Sequence, residues 1–393
     1  MKTMKWKFYS LAFVAGMSIL TACSSDDNND NDGNGGNGNG NEIENGTILK
    51  GTITSDVTLA AGNTYKLSGE YIVEEGATLH IEEGVKIIAV YDDIADYILV
   101  KQGGKINAVG TPDKPIVMTS EKEEPGAWGG IHICGRAHTN AEGGKGSSEI
   151  GGAVYGGNDD ADNSGTLQYI RLEYTGFAFD EEHEANGISF YGVGNGTIVD
   201  HCQAYKGSDD GFEFFGGSVN VSNLVAVSCS DDSFDWTEGW NGKGTNLVAY
   251  QEAESTLGYD CDCLMECDNN GSNNAATPVA HPVLKNLILV GNGGSKQGIR
   301  LRAGTEGEID NAKVCGKGQP LTVETALTEN ALKNGTSKLT NITLTSELSS
   351  KEGIYTHADF IAVTSNKVDA NLSYSSFEDI RKECSWMNGS WVK

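Results

Sequence analysis

Carboxylates recur at one regular spacing of about 22 residues in the middle of the chain. If successive repeats stack about 5 Å apart, as neighbouring β-strands do, these carboxylates repel one another unless a cation, a shared proton or water relieves the repulsion. A hard divalent ion such as Ca²⁺ accepts about six to eight oxygen ligands. The pattern therefore indicates either solvated, turn-forming acids or a Ca²⁺ site. The recurring pairs are Asp209 and Asp231, Asp210 and Asp232, and Glu213 and Asp235, of which the first two pairs are the candidate Ca²⁺ ligands.

The same carboxylates also allow a catalytic interpretation. Retaining glycosidases hold two carboxyl groups about 5 to 5.5 Å apart. Every pair of acids on neighbouring stacked repeats has about that spacing, so the distance alone does not indicate catalysis. A polysaccharide lyase instead needs a base beside a uronate, and the candidates by repeat position are Lys206, Arg300 and Arg302. Strand alternation directs Arg300 and Arg302 outward, where they are either solvated or available to capture an anion.

Aromatic side chains near the acids could provide flat faces for a sugar or a peptide, beside carboxylates that accept hydrogen bonds. The alternative is that these rings pack in the core or at its rim. The rings in question belong to Tyr191, Phe215, Trp240 and Tyr250. The candidate ligand-binding set is Glu213, Asp235, Trp240, Tyr191, Arg300 and Arg302.

A repeat of about 22 to 24 residues positions these side chains. Short alternating segments recur at positions 186–190, 210–214 and 232–236. A period of this length with two or three short strands per unit is typical of one turn, or rung, of a parallel β-helix, in which like positions stack into a continuous core. The regular Leu and Asn skeleton of a leucine-rich repeat and the antiparallel hairpin signals of a propeller are missing. We predict an all-β, right-handed parallel β-helix of about 22–25 residues per rung over positions 44–345, with positions 346–393 covering its open end.

Strand alternation predicts which side chains of the repeat face the core. The interior positions should be Phe190, Phe214 and Trp236, and the exterior positions should be Ser189, Glu213 and Asp235.

The N-terminus has the pattern of an export signal. Lys2, Lys5 and Lys7 precede an apolar run at positions 8–20, and this run is too short to span a bilayer as a helix. Leu20-Thr21-Ala22-Cys23 looks like a bacterial lipobox, so residues 1–22 are predicted to be a signal peptide and Cys23 to carry the lipid. Acyl chains on Cys23 would anchor the protein to a membrane without a transmembrane helix.

Residues 23–43 are predicted to form a flexible, acidic Gly- and Asn-rich tether, since residues 24–42 supply almost nothing to a core. Asp30-Asn31-Asp32-Gly33 resembles the start of a calcium loop but lacks its closing Glu. The whole chain has 55 acidic and 28 basic residues and a net charge of −27, which disfavours nucleic acid as a partner. The eight cysteines after Cys23 permit disulfides in an exported protein, without fixing a connectivity.

The repeats resemble the right-handed β-helix surface lipoproteins of Bacteroidota. The resemblance covers nearly the whole mature chain, and the acidic stretch Ser24-Ser25-Asp26-Asp27 is similar to the surface export signal of that group. It implies a lipid-anchored outer-membrane protein that faces the medium and captures a glycan, peptide or similar nutrient beside a TonB-dependent transporter and its lipoprotein lid. The alternative is a carbohydrate-active enzyme, either a polysaccharide lyase or a glycoside hydrolase. The segments that carry the resemblance are residues 71–81, 103–111, 128–131, 155–165 and 208–217.

Overall fold

The computed structural model of the protein describes residues 41–92, 94–179 and 183–393. The predicted signal peptide, Cys23, the Asp30 loop and most of the tether lie outside these residues. No helix within the described ranges is long and apolar enough to cross a membrane.

Short strands dominate the described chain. The helices are α1 (Glu254–Leu257), α2 (Ala326–Asn334), α3 (His357–Ala362) and α4 (Phe377–Glu383), with 3₁₀ turns at Glu142–Gly144 and Ser385–Met387. In chain order the strands are β1 (Asn41–Ile43), β2 (Ile48–Ile53), β3 (Val57–Leu59), β4 (Thr64–Val73), β5 (Thr78–Ile81), β6 (Lys86–Ala89), β7 (Tyr97–Val100), β8 (Lys105–Val109), β9 (Ile116–Ser120), β10 (Ile131–Cys134), β11 (Gly146–Ser147), β12 (Val154–Tyr155), β13 (Gly165–Glu173), β14 (Ile188–Tyr191), β15 (Ile198–Tyr205), β16 (Phe212–Phe215), β17 (Asn220–Val227), β18 (Phe234–Thr237), β19 (Lys243–Tyr250), β20 (Met265–Asp268), β21 (Val283–Val290), β22 (Gln297–Arg302), β23 (Glu308–Cys315), β24 (Gln319–Val323), β25 (Lys338–Leu344), β26 (Ser349–Ser350) and β27 (Lys367–Val368).

The strands stack into three parallel ladders, and the predicted right-handed parallel β-helix is confirmed. The third ladder, which carries the acidic residues, runs from the ends of β2 and β4 through β7, β10, β14, β16, β18, β20, β22 and β24 to β26. The first and second ladders share the long strands β13, β15, β17, β19, β21, β23 and β25, each of which turns a corner near its middle. Only the short pair β11 and β12 is antiparallel among the strands of the described chain.

A column of residues with left-handed backbone forms the corner of these long strands. Tyr169 and His201 begin the column with φ of 51° and 52°. Asparagine occupies the later positions because its short polar side chain tolerates this conformation better than most residues do. Its amides also bond from rung to rung, as between Asn246 Nδ2 and Asn223 Oδ1 at 2.8 Å. This asparagine column consists of Asn223, Asn246, Asn286, Asn311 and Asn341.

Stacked aromatic rings fill part of the core. The rings of Phe190 and Phe214 lie 5.0 Å apart between centroids, and those of Phe212 and Phe234 lie 5.6 Å apart. Phe190, Phe214 and Trp236 are at most 2% exposed in one continuous core, so the predicted interior positions are confirmed.

The predicted exterior positions point away from the core, but they are not equally open to solvent. Glu213 and Asp235 are partly exposed, as expected. Ser189 is fully buried, because an outer apolar layer covers the first part of the third ladder. This layer includes Ile150 and Tyr155, which belong to the long insertion between β10 and β13.

The C-terminal segment covers a side of the β-helix as well as its end. Phe360 of α3 joins the core at the C-terminal end, together with Leu332 of α2 and with Leu348 and Tyr355 from the segment before α3. Residues 369–393 instead lie on the outer face of the second ladder, where Trp391 is fully buried. The strands extend from residue 41 to residue 368, so the β-helix is longer at both ends than the predicted range 44–345.

Candidate functional site

An open depression on the outer face of the third ladder collects most of the predicted acids. Its volume is about 510 Å³, and we call it the acidic depression. All side chains in its lining are ionisable, and ten of the eleven are carboxylates. The lining residues are Glu149, Glu184, Asp209, Asp210, Glu213, Asp231, Asp232, Asp235, Asp262, Glu266 and Arg300.

Adjacent strands place one column of charged side chains in the depression. Glu213 of β16 pairs with Asp235 of β18, which confirms the predicted stacking. The column continues from Asp235 to Glu266 of β20 and from Glu266 to Arg300 of β22. Because these residues occupy the same register position, their side chains project from the same face at the spacing of neighbouring strands.

The turns before β16 and β18 add a second row of acids that also supports the fold. Asp210 Oδ1 accepts a hydrogen bond of 2.8 Å from the backbone N–H of Asp232. Asp232 Oδ1 accepts one of 2.6 Å from the backbone N–H of Cys263. Asp210 and Asp232 are 6% and 5% exposed, so the turn-forming interpretation holds for one oxygen of each carboxylate.

The geometry of the carboxylates is compatible with a divalent cation. Oxygens of Asp209, Asp210 and Asp231 lie within 4.8 Å of one another. Two ligands of one Ca²⁺ ion are separated by at most about 5 Å, since each lies about 2.3 to 2.6 Å from the ion. Asp232 is not in this group but belongs to two others, so the four-residue Ca²⁺ site stays a prediction. The other groups that meet the same distance are Asp210, Glu213 and Asp235; Asp232, Asp235 and Glu266; and Asp232, Asp262 and Cys263.

Burial and mutual repulsion favour the protonated form of these carboxyl groups. Burial, followed by the charge of Asp231, raises the pKa of Asp209 to about 7. Burial likewise raises the pKa of Glu149 to about 7, and partial burial at the rim raises that of Asp231 to about 6. The same causes, burial first and neighbouring carboxylates second, raise the pKa of four further groups well above the usual range. These are Asp210, Glu213, Asp232 and Asp235.

A buried polar chain holds Glu213 from behind. Asn186 Nδ2 donates to Glu213 Oε2 at 2.6 Å and lies 3.0 Å from Ser189 Oγ. His132 Nε2 lies 2.6 Å from the carbonyl oxygen of Gly129, so it carries the proton and leaves Nδ1 to accept from Ser189 Oγ at 3.2 Å. Burial lowers the pKa of His132 to about 4, which keeps the ring neutral. The orientation of the Glu213 carboxylate is therefore fixed by the protein.

The aromatic platform predicted beside the acids is not presented to solvent. Trp240 is 1% exposed because its ring stacks on Phe214 at 4.1 Å, and its Nε1 donates to the carbonyl oxygen of Val219. Tyr191 is 1% exposed because its ring stacks on Phe215 at 4.4 Å, and its hydroxyl donates to Glu149. Both rings are buried inside the protein and cannot contact a ligand from solvent, which corrects their assignment as ligand-binding rings.

The two predicted arginines form ion pairs at one end of the depression. Arg300 bonds to Glu266 at 2.8 Å and to Glu324 at 3.3 Å, and Arg302 bonds to Asp268 at 2.7 Å. Burial lowers the pKa of Arg300, but the bonds to Glu324 and Glu266 more than offset it, so its pKa lies above the usual range. Arg300 lines the depression as a permanent cation, whereas Arg302 is not part of the lining.

Four lining residues were not among the predicted candidates. The rung between Asp235 and Glu266 contains an insertion, which conceals Glu266 from a search at the regular spacing. Glu149 belongs to the insertion between β10 and β13, where no repeat is present to align. Glu184 and Asp262 occupy turns just before β14 and β20, at positions comparable to those of Asp209 and Asp231. A search that allowed rungs of unequal length could have found these two.

The fold and this site define a parallel β-helix protein with a carboxylate-rich surface depression. Residues 51–392 match the family model described as a pectate-lyase like beta helix domain, and the chain belongs to this family. Such a domain fits either a binding module or a carbohydrate-active enzyme. A search of curated proteins and a search of solved structures found no match to the chain.

Proposed function

We propose that this chain is a lipid-anchored surface protein of the outer membrane, related to the β-helix lipoproteins of Bacteroidota, whose acidic depression binds a glycan. The observation that carries the binding proposal is the convergence of ten carboxylates and Arg300 on one open depression. Cys23 would carry the lipid, and the bound nutrient would pass to a TonB-dependent transporter and its lipoprotein lid. The anchor and these partners rest on the N-terminal motif and on the family resemblance.

The chemistry of the lining favours a glycan over a peptide. Ionised carboxylates accept hydrogen bonds from sugar hydroxyls, and protonated carboxyl groups such as Asp209 near neutral pH also donate them. The depression has no apolar or aromatic side chain in its lining, so the hydrophobic side chains of a peptide would find no pocket there.

A Ca²⁺ ion would complement this lining. Asp209, Asp210 and Asp231 would hold it with hard oxygen ligands that lie within 4.8 Å of one another, as the oxygens of two other all-carboxylate groups in the lining do. When bound, the ion supplies a positive centre for sugar hydroxyls or for the carboxylate of an acidic sugar. Without a cation, the depression would repel a polyuronate through its own charge.

A second candidate function is hydrolysis of a glycosidic bond. It is favoured by Asp210, Glu213 and Asp235, whose carboxylate oxygens converge within 4.8 Å and whose pKa values are all raised. A protonated carboxyl group next to an ionised one is the arrangement in which one acts as general acid and the other as nucleophile. A lyase reaction is less well supported, because Arg300 is held as a cation between Glu266 and Glu324 and does not serve as a base.

Glycan binding is tested with the full chain purified in detergent. We expect the parent protein to retain members of a glycan array in Ca²⁺ buffer, and we expect Glu213→Gln to lose that binding at least tenfold. Asp113→Asn is the matched control, because Asp113 is exposed and does not line the depression. Equal binding by all three proteins, or binding to none of the glycans, would refute the proposal.

The enzymatic alternative is tested on the same glycans by following new reducing ends and unsaturated uronides. Product formation by the parent protein that is abolished in Glu213→Gln and in Asp235→Asn would establish hydrolysis. Binding without product in every buffer would leave a binding module. Unsaturated products would indicate a lyase and contradict hydrolysis by the carboxyl groups of Asp210, Glu213 and Asp235.

The anchor is tested separately in cells. Cys23→Ala should release the protein from the outer-membrane fraction and abolish incorporation of radiolabelled palmitate, because the predicted anchor is the acylated thiol. Palmitate that still enters the variant would show that Cys23 is not the lipidation site.

A further inference from the structure

A second cavity lies at the corner between the first and second ladders. It is enclosed by the asparagine column and the C-terminal segment. Its volume is about 200 Å³. One wall is formed by Asn246, Asn286 and Asn311, and Trp386 of the C-terminal segment contributes to another. This cavity and the acidic depression share no lining residue.

The amides of the column retain hydrogen-bonding capacity toward the cavity. Asn286 Nδ2 donates to Asn246 Oδ1 at 3.1 Å, and Asn311 Nδ2 donates to Asn286 Oδ1 at 2.8 Å. A primary amide has two N–H donors and two acceptor lone pairs. Each ladder contact uses one N–H and one lone pair of an amide, so one donor and one acceptor per side chain remain. The three amides that line the cavity therefore keep donors and acceptors that the bonds within the column do not use.

The other walls of the cavity carry one ion pair, so that their charges cancel, and one aromatic ring. Lys313 Nζ and Glu383 Oε1 form an ion pair at the cavity, and Glu383 Oε2 also accepts a hydrogen bond of 2.8 Å from the hydroxyl of Tyr374. Trp386 is only partly buried, and its ring lies against Trp391 at 6.2 Å between centroids. An indole face next to amides suits the apolar C–H face and the hydroxyl edge of a sugar.

We propose that this cavity is a binding site for one neutral sugar ring. Its volume of about 200 Å³ lies below the roughly 300 to 1,000 Å³ of sites for drug-sized ligands, which suits one small sugar ring. The balanced charge gives an anionic sugar no advantage. The amides would bind the hydroxyl groups, and Trp386 would cover one face of the ring.

The test uses saturation-transfer difference NMR with millimolar glucose, galactose, mannose and N-acetylglucosamine, and with the full chain in detergent. We expect transfer from the parent protein to at least one of these sugars. Asn286→Gly removes the central amide while accepting the φ of 60° at this position, and should lose the signal. Asn341→Gly is the matched control, because Asn341 has φ of 56° in the same column but does not line the cavity.

Trp386→Ala provides a second variant that does not alter the corner backbone, and it should lose the signal as well, whereas Trp386→Phe should retain part of it. Glu213→Gln separates this site from the acidic depression and should leave the transfer unchanged. The proposal is overturned if the parent protein transfers to none of the four sugars. It is also overturned if the signal persists in Asn286→Gly and Trp386→Ala, or if it disappears only in Glu213→Gln.

Discussion

Asp210 accepts a hydrogen bond from the backbone N–H of Asp232, the residue at the same position of the next rung, at 2.8 Å. Asp232 repeats the arrangement one rung later by accepting from Cys263 at 2.6 Å. Two carboxylates that line the depression therefore also bond one turn of the β-helix to the next. Since Asp210 also contributes to two converging carboxylate groups, ligand binding there should be coupled to folding stability.

The first prediction is that Ca²⁺ stabilises the folded protein. A metal that binds only the folded state adds about 2.7 kcal/mol when its free concentration is about 100 times Kd, so the melting temperature should rise by a few degrees. Asp210→Asn should reduce this rise, because the variant keeps an oxygen for the Asp232 N–H but loses a charged ligand. Thermal melts in EDTA and in millimolar Ca²⁺ measure both effects.

The control for this prediction is Asp113→Asn, whose rise should equal that of the parent protein. Identical melting curves of the parent in EDTA and in Ca²⁺ would leave only the turn-forming role for these acids. A larger rise with Mg²⁺ than with Ca²⁺ would also contradict the assignment, since Mg²⁺ demands a smaller and more regular set of ligands.

The second prediction concerns Asp96, a buried carboxyl group far from the depression in sequence. Asp96 is 1% exposed; its Oδ1 accepts from the backbone N–H of Gly69 at 2.5 Å, and its Oδ2 has no partner among the described residues. Burial raises its pKa from 3.8 to about 7. A carboxyl group whose pKa is raised on folding contributes fully to stability at pH values below its unfolded-state pKa. This contribution is lost as the pH rises through its folded-state pKa.

The titration of Asp96 should therefore lower the free energy of unfolding by up to about 4 kcal/mol between about pH 4 and pH 7. Asp96→Asn removes the titration, so the difference in melting temperature between variant and parent should shift in favour of the variant as the pH increases. Asp113→Asn should show no such trend. A difference that stays constant from about pH 5 to about pH 9 would show that Asp96 does not titrate in this range.

Regular rungs explain how much of the site could be predicted. Glu213 and Asp235 were paired correctly because the rung between them has the regular length, and alternation then assigned Phe214 and Trp236 to the core. The rung between Glu266 and Arg300 is much longer, so the sequence did not reveal that the two form an ion pair in one column. Insertions change the period without changing the stacking, because a loop leaves the ladder only between strands.

The aromatic residues illustrate a second limit of the sequence. Tyr191 does project outward from β14 as alternation predicts, but Tyr155 from the distant insertion lies 5.1 Å from it and covers it. Trp240 lies beyond the end of β18, where alternation no longer applies, and the turn directs its ring onto Phe214. Burial of a ring by a non-repeating segment depends on tertiary packing, which a local pattern does not encode.

The third prediction tests the aromatic core. Phe214 is 2% exposed and stacks between Phe190 and Trp240 at 5.0 and 4.1 Å. Phe214→Ala should lower the free energy of unfolding by about 3 to 5 kcal/mol, since it removes a buried ring and leaves a cavity. Leu327→Ala, at a position that is 49% exposed, should change it by less than about 0.5 kcal/mol. Chemical denaturation of the three proteins gives the comparison, and similar midpoints for all of them would contradict the stacked core.

The last prediction is that Ca²⁺ offsets the pH dependence of stability that the acidic depression produces. Burial and neighbouring charges raise the pKa of Asp209 and Glu149 to about 7 and that of Asp231 to about 6. In EDTA the contribution of these groups is therefore fully present below about pH 4 and is lost as the pH rises to about 7, so the melting temperature should decrease over that interval.

A bound Ca²⁺ ion favours the ionised carboxylates, so its stabilising effect should grow with pH over the same interval and offset the loss. Melting temperatures measured in Asp96→Asn from about pH 4 to pH 8, with EDTA and with millimolar Ca²⁺, isolate the depression from the titration of Asp96. The triple replacement of Asp209, Asp210 and Asp231 by Asn in that background should make the EDTA curve less steep, since Glu149 still titrates, and should remove the response to Ca²⁺. Parallel curves with and without the ion would mean that Ca²⁺ does not compete with protons for these carboxylates.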